Sequence, residues 1–377
     1  MATRLHRVRA PLAFIAVIFT SSALISRRVF HVTKSGAGVE VSLQDQPHTV
    51  KKGKVGGGSS AVEGEGAAAS VTQVLILSSL PRSGSTLVAE LLATHHNSVL
   101  FFEPLSNPQM KPCLLNGTCV KEYISSIFKC TYERNFENWL KGKGLFLKYF
   151  HSSVSRCFGR PKEGGGACRR KLDLRSLCQN ASIRIVKVIR SRLSWLEGLL
   201  NDTSLKIKII HLVRDPRGSL TSIKNLGWNS KPSIRCSALQ DDMCRYNNLL
   251  KKYPAKLTRL RLERLSMDPY GTVSDIYAFL YDGATLSKVT LQFLMEHMSA
   301  TDTQPSGDNM DTQKNSLKEY QSWRWKITSE LLKETEKEPA CRATITQLGH
   351  VLFGSLHNAR NSSIALTAHY KTAKNFL

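Results

Sequence analysis

Residues 74–96 read VLILSSLPRSGSTLVAELLATHH, and the order of patterns in this stretch decides the fold. Val74 to Ser79 form a β-branched and leucine-rich run too short for a helix, and a Pro, Ser and Gly turn follows it. From Ser85 onward the period changes, with Leu87, Glu90, Leu91 and Thr94 at helical spacing. The pattern then returns. IRIVKVI (183–189) precedes the helix candidate SRLSWLEGLL, KIKIIHLV (206–213) precedes RDPRGSLTSIKNLG, and LTRLRLE (257–263) precedes DPYGTVSDIYAFL. Strands alternating with helices predict an α/β fold, a central and mostly parallel sheet flanked by helices.

A strand–turn–helix junction turns unpaired backbone N–H groups and a positive dipole end toward any anion beside it. In Leu80-Pro81-Arg82-Ser83-Gly84-Ser85-Thr86, Gly84 lets the backbone approach closely and Arg82 adds a permanent cation. Ser83, Ser85 and Thr86 add hydroxyls. The Walker pattern GxxxxGK[ST] is absent, which argues against a nucleoside triphosphatase or kinase. A second candidate loop, Val213-Arg214-Asp215-Pro216-Arg217-Gly218-Ser219-Leu220-Thr221-Ser222, also follows a strand. Pro216 suits a first helical position, placing Ser222 roughly two turns beyond Arg214. Taken alone, the first loop also reads as a plain helix cap, and Arg214 with Asp215 as a local ion pair.

The chain carries 53 Lys and Arg against 29 Asp and Glu, a formal charge of +24, which favours anionic partners. Removing residues 1–72 still leaves 44 basic and 25 acidic side chains, so the excess belongs to the globular part. Residues 11–26, PLAFIAVIFTSSALIS, form an uncharged apolar run preceded by Arg4, Arg7 and Arg9 and followed by Arg27 and Arg28. A cleaved signal and an uncleaved anchor both fit this run. The absence of a clean small-x-small site and the adjacent arginine pair favour a type II signal-anchor. Either reading sends the rest of the chain into the secretory lumen and makes nucleic acid an improbable partner. Nine cysteines, all beyond the apolar run and without CxxC spacing, point to disulfides rather than zinc, with one thiol left over. Asn116, Asn180, Asn201 and Asn361 head N-glycosylation sequons. Residues 34–70, rich in Gly, Ser and Ala, read as a flexible stem.

PRSGST (81–86) resembles the 5′-phosphosulfate loop of the sulfotransferases that use 3′-phosphoadenosine 5′-phosphosulfate (PAPS), and LVRDPR with a Ser eight positions after its first Arg resembles their 3′-phosphate element. LRLERLSMDPYGTVSDIYAFL, KNSLKEYQSWRW (314–325) and CRATITQLGH are similar to elements of the branch acting on C6 hydroxyls of Gal, GlcNAc and GalNAc. Arg264 and His350 depart from that branch, which usually carries Asp and Tyr there.

The resemblance implies a sulfotransferase fold and PAPS as co-substrate. Arg82, Ser83, Gly84, Ser85 and Thr86 would hold the 5′-phosphosulfate, and Arg214 and Ser222 the 3′-phosphate. Arg82 would also stabilise the leaving group, and Glu103 in FFEPL would act as general base. Among Phe101, Phe102 and Pro104, that carboxylate is expected to have a pKa raised by desolvation. Lys314, Asn315 and Ser316 could reach the 3′-phosphate or adenine, while Trp323 and Trp325 suggest core packing. No metal-ligand cluster is visible, and none is needed for this chemistry.

The expected organisation is a cytoplasmic tail (1–10), a signal-anchor (11–26), a luminal stem (27–72), a catalytic domain (73–355) and a C-terminal tail (356–377), held in the Golgi membrane. The expected partner is an anionic or neutral glycan acceptor of keratan, chondroitin or N-acetylglucosamine-containing type. The basic segment 141–175 could clasp an acidic glycan or be a solvated loop region. A tyrosylprotein-type enzyme and a non-catalytic luminal glycan-binding protein are the competing readings.

Overall fold

The computed structural model describes residues 29–35, 38–44, 71–158, 167–169, 171–281, 285–298, 312–313 and 315–367. The apolar run 11–26 lies outside them, and among the described residues no helix is long and apolar enough to cross a membrane. Residues 1–66 and 67–377 form two separate units. In the first, β1 (Val29–Ser35) and β2 (Gly38–Gln44) pair antiparallel within the stretch expected to be a stem. Apolar residues alternating with polar ones on both arms, Phe30-His31-Val32-Thr33 and Val39-Glu40-Val41-Ser42, give that pairing its local reason.

The second unit is built on five parallel strands: β3 (Thr72–Leu77), β4 (Ser98–Phe102), β5 (Ile183–Val188), β6 (Ile207–Val213) and β7 (Leu257–Arg261). Their order across the sheet is β4-β5-β3-β6-β7. Four of these were legible in the sequence; β4 is an addition at the sheet edge. In register, Leu77 lies beside Val188 and His211, and Phe102 lies beside Lys187.

Alternation within the strands builds two cores. Leu75, Leu77, Val186, Val188 and Ile209 face α2 (Gly117–Phe128) and α3 (Leu193–Asn201), which contribute Val120, Ile124, Leu196 and Leu200. Val74, Ile76, Ile185, Ile210 and Leu212 face the other way, toward Val88, Leu91 and Leu92 of α1 (Ser85–Ala93). Because both faces are covered, the central strand β3 reads as a nearly continuous apolar run from Val74 to Leu77.

A third core lies beyond the C-terminal end of β6. It is built by α4 (Pro216–Asn225), α5 (Pro232–Lys252), α6 (Ser329–Lys337) and α7 (Pro339–Gln347) around Leu220, Leu239, Trp323 and Leu332. Trp323 is in that core, but Trp325 is 50% exposed, against the expectation that both tryptophans pack inside. They sit two residues apart on one helical turn, so their side chains point to different sides. The segment 356–367, expected as tail, is bound to the same core. Ala359 and Leu366 are buried, and the Arg324 guanidinium donates to the carbonyls of Ala359, Asn361 and Ile364.

Eight of the cysteines pair as Cys113–Cys119, Cys130–Cys178, Cys157–Cys168 and Cys236–Cys341, leaving Cys244 exposed and free. The four sequon asparagines are exposed. Cys236–Cys341 ties α5 to α7 across 105 residues, the longest loop of the four. Loop closure makes its loss the costliest, so Cys236→Ser with Cys341→Ser lowers unfolding free energy by about 2–4 kcal/mol. Urea unfolding of the variant and the parent measures it; an unchanged midpoint would mean that the surrounding helices hold this core without the crosslink.

Candidate active site

The candidate residues gather at the C-terminal ends of the parallel strands, where successive connections leave the sheet in opposite directions, the place at which sheets of this kind form their ligand crevice. From β3 the chain turns through Ser78–Gly84 into the helix Ser85–Ala93. Its N-terminal residue Gly84 lies at φ 83° and makes no side-chain cap. A Cβ there would sit 2.6 Å from Leu262 Cδ1 and force that side chain to shift, and the backbone angle itself is one that favours glycine. The first N–H groups of this helix therefore have neither an intrahelical acceptor nor a capping side chain. Arg82 takes the left-handed region as well (φ 69°), unusual for a non-glycine residue and typical of functional turns.

Within this loop the side chains differ in their commitments. The Ser83 hydroxyl is buried and donates to the Leu80 carbonyl at 2.6 Å, so it shapes the turn, leaving only its backbone N–H to face an anion. Ser85 is nearly buried and Thr86 half-buried, at the helix start.

The second loop is organised differently. Asp215 caps α4 by accepting the Arg217 N–H at 2.9 Å, and its own N–H donates to Glu263 Oε1 at 2.8 Å. The end of this helix is thus already satisfied, and Arg214 and Ser222 offer side chains instead. Asp215 does not pair with Arg214. It holds Arg217, whose guanidinium also donates to Glu336 at 2.6 Å and lies between Trp323 and Phe353. Burial opposes that charge, but the two carboxylates raise the Arg217 pKa above the arginine norm, and Arg217 in turn holds Asp215 below the carboxylate norm although burial pushes it up.

The two loops meet although 140 residues separate them: Arg82 Nε donates to the Ser222 hydroxyl at 3.0 Å, and Arg214 Nη1 donates to the Arg82 carbonyl at 2.9 Å. Burial lowers the pKa of both guanidiniums, and Arg214 lowers that of Arg82 further. Arg214 Nε is buried and has no hydrogen-bond partner among the described residues. An anion in this crevice would relieve both conditions. Gly218 leaves the room in which Arg214 lies, since a Cβ there would be 2.9 Å from Arg214 Nε.

Glu103 follows β4 at the same end of the sheet, also at positive φ (49°). Its expected raised pKa is overturned. Burial does push the carboxyl up, but Lys187 Nζ at 2.6 Å and Arg190 Nη1 at 2.6 Å outweigh it and hold Glu103 below the usual range. Lys187, itself buried, also lies 3.9 Å over the Phe102 ring. Sequence reading missed Lys187 and Arg190. The available signal was a lysine near the C-terminal end of a strand that is apolar and buried apart from Arg184 near its start.

Ser316, considered for a phosphate, instead donates to the Ser266 carbonyl at 2.9 Å, and Asn315 caps a short helix through the Lys318 N–H. Lys314 lies outside the described residues. His211 is fully buried at 3.1 Å from the Ser79 hydroxyl, and burial followed by Arg259 keeps its pKa well below the histidine norm.

Chemically, the crevice combines a helix N-terminus, two arginines on one side and an ionised carboxylate held by two cations on the other. It suits a multiply charged anion next to a group that can accept a proton. The family model "Sulfotransferase domain" matches residues 72–338. Human carbohydrate sulfotransferase 1 is 25% identical over 350 residues, covering 78% of this chain and 83% of that protein. Mouse carbohydrate sulfotransferase 3 is 27% identical over 246 residues, covering 59% of this chain and 49% of its own. Among solved structures, the sulfotransferase domain of the Synechococcus PCC 7002 olefin synthase is similar at a TM-score of 0.40 and 17% identity, covering 70% and 90% of the two chains.

Proposed function

The chain belongs to the sulfotransferase family, and on that premise we propose that it transfers the sulfuryl group of PAPS to a hydroxyl of a glycan. The observation that carries this reading is the junction of the two loops through Arg82, Ser222 and Arg214. It gathers cations and an uncapped helix start around a space suited to a donor with phosphates at both ends of its ribose. The residues present fit such a donor. Gly84, Ser85 and Thr86, with the Ser83 backbone, would hold the 5′-phosphosulfate, and Arg214 with Ser222 would hold the 3′-phosphate.

The donor supplies an activated sulfur whose bond to the 5′-phosphate oxygen breaks as a bond to the acceptor oxygen forms. Arg82 stabilises the charge that grows on the departing 5′-phosphate. Glu103 accepts the proton of the attacking hydroxyl, and Lys187, near the end of β5, holds that carboxylate at 2.6 Å. The carbohydrate acceptor is supported by the names of the relatives. A C6 hydroxyl of Gal, GlcNAc or GalNAc, placement in the Golgi lumen and anchoring through residues 11–26 complete the proposal.

The direct test is transfer of labelled sulfate from PAPS by the purified chain to keratan, chondroitin and GlcNAc-terminated oligosaccharides and a Tyr peptide. Label on a glycan is expected. Label confined to the peptide would make the enzyme a protein sulfotransferase, and no label despite PAPS binding would leave a binding protein.

The depressed pKa of Glu103 sets a pH signature. The group is already ionised throughout the neutral range, so it produces no acidic limb in kcat/KM between about pH 6 and 8. Its stabilising contribution is present above the unfolded carboxylate pKa and is lost as pH falls through the lower folded value. Glu103→Gln is expected to reduce kcat by about 10²–10⁴-fold with PAPS affinity kept. An acidic limb near neutrality that disappears in Glu103→Gln would show a raised pKa and contradict this assignment.

A further inference from the structure

His350, which stands where the resembled branch usually carries Tyr, is joined to the second donor loop through one buried carboxylate. It follows α7, and the backbone there is fixed by three elements. The His350 N–H donates to the Ile345 carbonyl at 3.0 Å, and the Val351 N–H donates to the Leu366 carbonyl at 2.9 Å. Arg217 Nη1, from α4, donates to the Val351 carbonyl at 2.8 Å. The imidazole is thereby enclosed with no exposed side-chain surface, and its Nε2 faces Glu263 Oε1 at 3.9 Å.

Glu263 is committed to that loop. Its Oε1 accepts the N–H of Asp215, the residue after Arg214, at 2.8 Å. Burial lowers the Arg214 pKa, and Glu263 is the foremost charge opposing that fall. One carboxylate therefore both fixes the backbone beside Arg214 and supports its charge. Yet Glu263 is itself fully buried, and its Oε2 has no hydrogen-bond partner among the described residues. His350 is the only basic side chain there within ion-pairing distance of it, and both ring nitrogens of His350 lack a hydrogen-bond partner as well. A buried carboxylate so sparsely satisfied depends strongly on the one polar ring that faces it, because nothing in this low-dielectric site screens the two.

From this arrangement we propose that His350 is a positioning residue for donor binding: neutral, it supports Glu263 in holding the Arg214 loop, and protonated, it draws Glu263 away and weakens the donor site in acid. The inference rests on the proposed PAPS donor. A neutral imidazole with its proton on Nε2 turns an N–H dipole toward Glu263 and leaves the carboxylate its charge. An imidazolium would compete with the Asp215 N–H for Oε1 and cancel the charge on which Arg214 relies. Burial keeps the His350 pKa below the histidine norm; Asp215 and Glu263 oppose that shift, while Arg261 and Arg217 add to it. Glu336, the remaining carboxylate at this segment, is spent on Arg217 and on the N–H groups of Phe353 and Gly354. The ring is therefore neutral in the neutral range and charges only on acidification.

Binding of the inactive donor product 3′,5′-ADP to the full-length protein, followed from about pH 7.5 to about pH 5, tests this with two variants. His350→Gln keeps an N–H that can face Glu263 and does not titrate; His350→Leu keeps the bulk and loses the N–H. At the neutral end His350→Gln binds within about twofold of the parent, and His350→Leu about tenfold more weakly. In turnover that loss appears in KM for PAPS, with kcat at saturating PAPS within about twofold of the parent. On acidification the parent loses at least about threefold more affinity than His350→Gln, whose curve records the titration of the ligand's phosphates and of every other group. Stability follows the same linkage: the contribution of neutral His350 is full above the unfolded histidine pKa and is lost as pH falls through the lower folded value. Acid therefore lowers the unfolding midpoint of the parent more than that of His350→Gln. Parallel acid curves for the parent and His350→Gln, or undiminished affinity in a folded His350→Leu, overturn the inference and leave the donor reading intact. Failure of the parent to bind 3′,5′-ADP at any pH overturns the donor reading, and the inference with it.

Discussion

Arg82→Ala lowers turnover by at least about 10²–10³-fold, the loss typical of removing one preorganised group that meets charge developing in a transition state. Two features make Arg82 hard to replace. Its backbone sits at φ 69°, so the guanidinium is delivered by a turn that few sequences adopt, and its Nε is aimed by the Ser222 hydroxyl. The variant also releases the contact joining the two loops, so donor affinity falls as well as the chemical step. Single-turnover transfer at saturating PAPS separates the two. A variant that recovers wild-type turnover once saturated would assign Arg82 to donor binding alone. Arg82→Lys retains a charge but lacks the fixed Nε–H, and is expected to recover only part of the loss.

Glu336→Ala is expected to cost about 3–5 kcal/mol of stability, the range for breaking a buried ion pair from one side. Glu336 Oε1 accepts from Arg217 Nη1 at 2.6 Å and from the Phe353 N–H at 2.9 Å, and Oε2 accepts from the Gly354 N–H at 2.7 Å. Removing the carboxylate strands three donors, one of them on a guanidinium with no exposed surface. Asp215 would still hold Arg217, which keeps the loss from being larger. The same residue links the C-terminal segment near 353 to the cap of α4, so donor affinity should fall in parallel with stability. Thermal and urea unfolding measure the first, and 3′,5′-ADP titration of the still-folded protein the second. A loss below about 1 kcal/mol would mean that water replaces the carboxylate, and that the network is less closed than its burial indicates.

Much of the fold was legible because its signals are local. Four strands announced themselves as apolar runs, each followed by a change to helical period. β4 escaped because SVLFF is only five residues long and ends at Glu103-Pro104, and a short apolar stretch has no period that identifies it. Of the site, the two loops were recognised by residue type and spacing. Ser83 was grouped with the other hydroxyls, although its own Oγ is spent inside the turn, which one-dimensional spacing does not reveal. Arg217 was quoted only as part of a motif. Its partners Glu336 and Phe353 lie more than a hundred residues away, where no spacing argument reaches.

The sequence by itself determined the class of architecture, the positions of both anion-seeking loops and the chemistry that they can offer. These follow from backbone geometry and residue type over a few neighbouring positions. Tertiary structure alone decided that Arg82 meets Ser222, that Arg214 turns away from Asp215, and that Glu103 is held ionised by Lys187 and Arg190. The reason is physical. A pKa is a sum over charges and burial in space, and a carboxylate among phenylalanines reads as a raised acid until two cations arrive from another strand and its loop.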